Sequence, residues 1–111
     1  MDIEKTNSER LRLNNLLGET DSFFKQFSEL DNEVYNDGAI PKKYKELTGL
    51  AIGVLSRCEE CVLYHLQECI SADSGIEEII ESIKMGVVGG GSITYPTARY
   101  AINKLKELAV L

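Results

Sequence analysis

No uncharged run in this chain approaches the ~20 apolar residues that a membrane-spanning helix needs. The first twenty residues alternate charge and polarity and hold no apolar stretch of the kind a secretory signal carries. A basic cluster is missing as well: 12 Lys+Arg stand against 18 Asp+Glu, a formal charge of -6. Nucleic acid and anionic membranes both select for grouped cations, so neither is expected as a partner. Strand-like alternation, internal repeats and linker composition are absent. The cysteines number three, an odd count that suits a reducing compartment better than an extracellular disulfide framework. Together these absences lead to the expectation of a cytoplasmic protein. At 111 residues it reads as one domain, 1–111. Such a chain buries roughly 65% of its unfolded surface, so its folding requires no metal or disulfide.

What is present is a succession of helices. Leu11, Leu13, Leu16 and Leu17 mark a first helix over about Glu4 to Leu17, with Gly18 placed to end it. Phe23, Phe27, Leu30 and Val34 fall at i, i+4, i+7 and i+11, one stripe of a second helix from Asp21 to Tyr35. Pro41 suits the first position of a third. On that helix Tyr44, Leu47, Ala51, Val54 and Leu55 form one apolar face, with Glu46, Gly49 and Gly53 opposite, and both faces read as buried. Ser56 to Glu59 has capping-box spacing and places Cys58 in the first turn of a fourth helix with core stripe Val62, Leu63, Leu66 and Ile70. A second box, Ser74 to Glu77, opens a fifth helix that Gly86 and Gly89 to Gly91 stop. A sixth begins between Ser92 and Pro96 and carries Ala98, Ala101, Ile102, Leu105 and Leu108. The expected fold class is therefore all-α, a single-domain bundle of about six helices with a C-x-x-C at the N-terminus of the fourth.

The chemistry concentrates between Glu46 and His65. Cys58, Cys61 and the chain's single histidine, His65, lie at i, i+3 and i+7 and share a helix face. A cysteine in the first turn of a helix faces unpaired N–H groups and the positive end of the dipole, which favours thiolate. A second thiol three residues away can trap an oxidised sulfur as a disulfide. His65 can take or return a proton near neutral pH, and Glu46 can hold the imidazole if the glycine face of the third helix packs there. Glu59 and Glu60 oppose this by raising thiol pKa values through like charge.

Plainer readings compete. C-x2-C-x3-H-x3-C resembles a zinc run, yet on one helix Cys58 and Cys69 are separated by roughly 16 Å of rise, whereas zinc holds its ligands within about 2.3 Å. No metal and no prosthetic group is expected. Cys69 reads as a small core residue. The glycines from Gly86 to Gly91 lack the Lys and Ser/Thr of a phosphate loop, so a helix stop or close packing is the better reading. Phe23, Phe24 and Phe27 read as core rather than a ligand cage.

Glu46, Gly49, Ala51 and Gly53, then Cys58-x-x-Cys61-x-x-x-His65, then Gly75-Ile76-Glu77-Glu78-Ile79 together resemble the carboxymuconolactone decarboxylase family, in its alkylhydroperoxidase D-like branch. The resemblance is clear over about Ile40 to Gly91. It implies an all-helical homotrimer or homohexamer that reduces a small hydroperoxide, or exchanges a disulfide substrate, at the expense of a thiol or dithiol reductant. By position Cys61 matches the thiolate that becomes a sulfenic acid, Cys58 the thiol that resolves it, and Glu46 with His65 the proton relay. The helix-end argument favours Cys58 as nucleophile instead. Glu60 replaces a histidine that alkylhydroperoxidase D carries, which shifts weight towards a disulfide reductase or a different oxidant. The reading is a thiol-dependent peroxidase or disulfide oxidoreductase. The alternatives are a non-enzymatic redox-sensing or metal-binding module of the same fold, and a decarboxylase or other lyase acting on a small acid.

Overall fold

The computed structural model describes residues 2–111. Among the described residues, six α-helices and one short 3-10 helix make up the secondary structure and no strand occurs. The chain divides into two compact units, 1–36 and 37–111.

The first unit is a helical hairpin of α1 (Asp2–Thr20) and α2 (Ser22–Tyr35). Gly18 does not end α1, which runs on to Thr20, where the Thr20 hydroxyl donates to the Leu16 carbonyl at 2.7 Å. Asp21 then makes the turn. Its carboxylate accepts the Phe23 N–H at 2.8 Å and so caps α2; a good N-cap residue outcompetes a glycine three positions earlier. The stripe of α2 is present, but none of its residues is buried. Phe23, Phe27, Leu30 and Val34 are each more than half exposed, and Phe23 stacks on Phe27 with ring centroids 6.5 Å apart. The expectation that these phenylalanines form core is corrected. Within its unit α2 has only α1 to lie against, and two helices cannot enclose a stripe.

The second unit holds α3 (Lys42–Leu55), α4 (Glu59–Ser71), α5 (Ile76–Gly90), a 3-10 turn (Ser92–Thr94) and α6 (Tyr95–Glu107). Leu50, Val54, Val62, Leu66, Cys69, Ile79, Ile83, Ala101 and Leu105 form its core. Pro41 is the N-cap of α3 rather than its first residue. The face of α3 that buries is the one carrying the glycines: Glu46, Gly49, Leu50, Gly53 and Val54. Tyr44 and Leu55, expected inside, are exposed, whereas Leu50 is fully covered. Glycine decides this by letting backbones approach. A Cβ on Gly53 would lie 3.3 Å from the Val62 nitrogen, and one on Gly86 would lie 2.7 Å from the Ala51 carbonyl oxygen.

Both capping boxes are shifted for one shared reason. Arg57 and Asp73 adopt left-handed backbone angles (φ 58° and 62°), and the residue after each donates its N–H back into the preceding helix, Cys58 to the Gly53 carbonyl and Ser74 to the Cys69 carbonyl. Each helix ending therefore ties the serine that resembled the next N-cap to the helix behind it, Ser56 through its hydroxyl and Ser74 through its N–H. Ser56 caps the end of α3 and its hydroxyl donates to the Ile52 carbonyl at 2.7 Å, leaving Cys58 as N-cap of α4. Likewise Gly75 caps α5, and Glu78 rather than Glu77 accepts the Gly75 N–H at 2.8 Å. The fifth helix passes through Gly86, Gly89 and Gly90, and only Gly91, at φ 80°, ends it.

Candidate active site

The local fold of the α3–α4 turn sets the cysteines. Because Arg57 reverses the chain, Cys58 stands just outside α4 with extended backbone (φ -102°, ψ 100°). Its sulfur accepts the Cys61 N–H at 3.2 Å. The sulfur thus occupies the place that a serine or aspartate oxygen takes at a helix N-terminus, where donors are unpaired and the dipole is positive. Cys58 and Cys61 are joined as a disulfide, with Cα atoms 5.2 Å apart. Cys61 is the third residue of α4, and His65 follows one turn later on the same face.

Glu46 comes to this region from α3. It is 1% exposed, and each carboxylate oxygen has a charged or ionisable partner. Oε1 faces His65 Nδ1 at 2.8 Å, and Oε2 accepts from Lys42 Nζ at 2.6 Å. Burying a carboxylate without such partners costs several kcal/mol. An ionised Glu46 accepts from Nδ1, and in a neutral ring so bound the lone pair falls on Nε2. Tyr64 lies edge-on to the imidazole with centroids 5.1 Å apart. The hydrogen bond to Glu46 holds the Lys42 ammonium above its ordinary pKa.

The structure therefore brings Glu46 and His65 together across two helices and joins Cys58 to Cys61. Cys69 lies apart from them in the core, its thiol pushed up to about 12, first by burial and next by the charge of Glu46. Lys42 is the member of the cluster that the sequence reading missed. Its signal was the four-residue spacing to Glu46, which on a helix places the two side chains together. Among the described residues no three His, Cys, Asp or Glu side chains converge as a metal site. A shallow groove of about 710 Å³ opens between α3 and α5, with Tyr44, Leu47, Ala51 and Met85 among its lining residues. Neither cysteine of the disulfide, nor Glu46, nor His65 lines it.

The sequence profile of the carboxymuconolactone decarboxylase family matches residues 21–107. The chain belongs to that family. Two crystal structures of one family protein from Thermotoga maritima, whose suggested role is in an antioxidative response, superpose with TM-scores of 0.90 and 0.91 at 37% identity, the first covering 95% of this chain and 90% of that one. The apo form of a family protein from Legionella pneumophila superposes at 0.81 with 29% identity, covering 92% and 91%. An uncharacterised protein of Cupriavidus necator is 32% identical over 69 residues, 62% of this chain, and the match spans 58% of that protein's length. An uncharacterised protein of the cox locus of Paracoccus denitrificans is 28% identical over 96 residues, 83% of this chain and 86% of its own. In this carboxymuconolactone decarboxylase family member a C-x-x-C pair, closed as a disulfide, heads α4. Among the described residues no helix is long and apolar enough to cross a membrane.

Proposed function

We propose that this carboxymuconolactone decarboxylase family protein is a thiol oxidoreductase that cycles Cys58 and Cys61 between dithiol and disulfide, reducing a small hydroperoxide or disulfide. The observation that carries the reading is the disulfide at the head of α4, on the same helix face as a histidine held by a buried carboxylate.

With a hydroperoxide, the Cys61 thiolate attacks the terminal peroxide oxygen. An S–O bond forms, the O–O bond breaks, and the alkoxide leaves as an alcohol after taking a proton. The Cys58 thiolate then attacks the Cys61 sulfur. An S–S bond forms, the S–O bond breaks, and hydroxide leaves as water with a proton from His65. The two thiols have given two electrons to the peroxide. A thiol or dithiol reductant restores them by attacking Cys61, with Cys58 as leaving group. The Cys61 N–H and the helix N-terminus stabilise the departing thiolate, and a lower leaving-group pKa speeds exchange. His65, oriented by Glu46, moves the protons.

The proposal extends to a reducing compartment such as the cytoplasm and to assembly as trimers or hexamers, for which the exposed apolar stripe of α2 is the support. Peptide mass spectrometry after reduction, removal of reductant and exposure to a slight excess of hydroperoxide tests the chemistry. A rapid loss of two hydrogens in the peptide holding Cys58 and Cys61, reversed by dithiol, is expected, and it should slow by about 100-fold or more in His65→Ala. Thiols that stay reduced, or oxidise singly without pairing, would sink the peroxidase reading. Turnover of a small acid that survives Cys58→Ser would point to lyase chemistry instead.

A further inference from the structure

Lys42 stands where helix energetics do not favour it. It is the first residue of α3, its N–H bound to the Asp37 carboxylate at 2.7 Å, so its cation sits at the positive end of the helix dipole. It precedes its acidic partner by four residues, the less favourable order for such a pair. Surface lysines commonly pair with exposed carboxylates, whereas this one, with a side chain 36% exposed, reaches a carboxylate that is 1% exposed. The pairing therefore serves Glu46, not the helix.

The charge balance shows how. Glu46 has one oxygen on Lys42 and the other on His65. With the ammonium in place the buried carboxylate is already neutralised, and the imidazole can remain uncharged. Without it, a buried negative charge would draw a proton onto His65 and keep it there as an imidazolium. Other charges act on the cluster from several sides. Glu68 on α4 and Asp37 before α3 add negative charge near Lys42. The buried Cys69 thiol of α4 feels the charges of Glu46, Glu68 and Glu78, the last from α5. Glu68 and Asp37 are acids and increase the need for the cation, whereas Glu78 is paired with Lys43 at 2.9 Å and the neutral Cys69 thiol adds no charge.

We infer that Lys42 is a positioning residue which, by holding and neutralising Glu46, keeps His65 uncharged and able to accept a proton from a thiol. The inference rests on the thiol oxidoreductase reading for its purpose, but its physical content can be measured apart from turnover.

The protein has one histidine, so the ring resonances of His65 can be followed by NMR titration without overlap. In the oxidised protein, Lys42→Met and Lys42→Gln are expected to raise the proton affinity of His65 by about tenfold or more. Lys42→Arg, which keeps the charge, is expected to leave it within about twofold. Circular dichroism checks that helicity is retained, and the glutamine variant separates loss of charge from loss of a hydrogen-bond donor. In stopped-flow reaction of the reduced protein with cumene hydroperoxide, the Met and Gln variants should lose about tenfold in rate at neutral pH and regain it as pH rises. An unchanged His65 midpoint in folded Met and Gln variants would overturn the inference. Wild-type thiols that do not react with peroxide would defeat the functional reading alone, since the titration would still decide whether Lys42 governs His65.

Discussion

Gly86 of α5 lies so close to Val54 of α3 that a methyl group on it would sit 2.7 Å from the Val54 Cβ, with the Ala51 carbonyl oxygen at the same distance. Backbone and branched side chain, unlike the end of a flexible one, cannot step aside cheaply. Alanine is the better helix former by about 1 kcal/mol, but overpacking at such a contact costs about 1–3 kcal/mol and wins. Gly86→Ala is therefore expected to lower the thermal midpoint. Gly89→Ala is the control, because its methyl would meet only the tip of Leu55 at 3.4 Å, an ordinary contact. It should leave the midpoint unchanged or raise it. Equal behaviour of the two variants would show that the α3–α5 approach is looser than the geometry implies.

The same glycines show how much the chain disclosed in advance. Six helices follow from the spacing of apolar residues, and the pairing of Glu46 with His65 follows from reading Gly49 and Gly53 as a face thinned for a neighbour. The errors occurred at the ends of helices. Ser56 and Ser74 carry the chemistry of N-caps, but the left-handed turns at Arg57 and Asp73 bind them to the helices behind them. Neither residue is glycine, so nothing local in the sequence marked those turns. The outcome matters chemically, because it places Cys58 outside α4 with its sulfur as the cap. Burial was legible only in part. A stripe such as that of α2 shows periodicity without saying whether anything covers it. Lys42 was missed because a lysine at the start of a helix, in an i, i+4 pair, looks like ordinary surface decoration even where its partner Glu46 is read on a buried face.

The three cysteines should separate cleanly in a thiol count. Cys58 and Cys61 are paired and Cys69 is buried. The native oxidised protein is expected to show no thiol to a disulfide reagent, and one after denaturation. The native reduced protein should show two, and three once unfolded. Because burial raises the Cys69 thiol from 9.0 to about 12, the folded state favours the neutral form. That contribution to stability is complete below the unfolded pKa and is lost as pH rises from about 9 towards 12. Stability measured at pH 8 and at pH 10.5 should fall more steeply in the wild type than in Cys69→Ala, where only the pH-independent packing loss remains. Parallel pH dependence in the two would mean that Cys69 is wetter than its complete burial indicates.

The exposed stripe of α2 provides a test of assembly that leaves folding almost untouched. Phe23, Phe27, Leu30 and Val34 form a row of apolar side chains on one helix, each more than half exposed, and Phe23 and Phe27 already stack on one another. Exposed apolar patches of this kind commonly mark surfaces that another surface covers, which is the basis of the proposed assembly. Substituting residues already in solvent costs the isolated chain little, commonly within about 0.5 kcal/mol. The double substitution Phe23→Ser, Phe27→Ser is therefore expected to preserve helicity while reducing the sedimenting species from the proposed trimer or hexamer to a smaller one. If the double variant sediments as the wild type does, the stripe lies outside the interface, and the exposed Met85 and Val88 on α5 become the next residues to substitute.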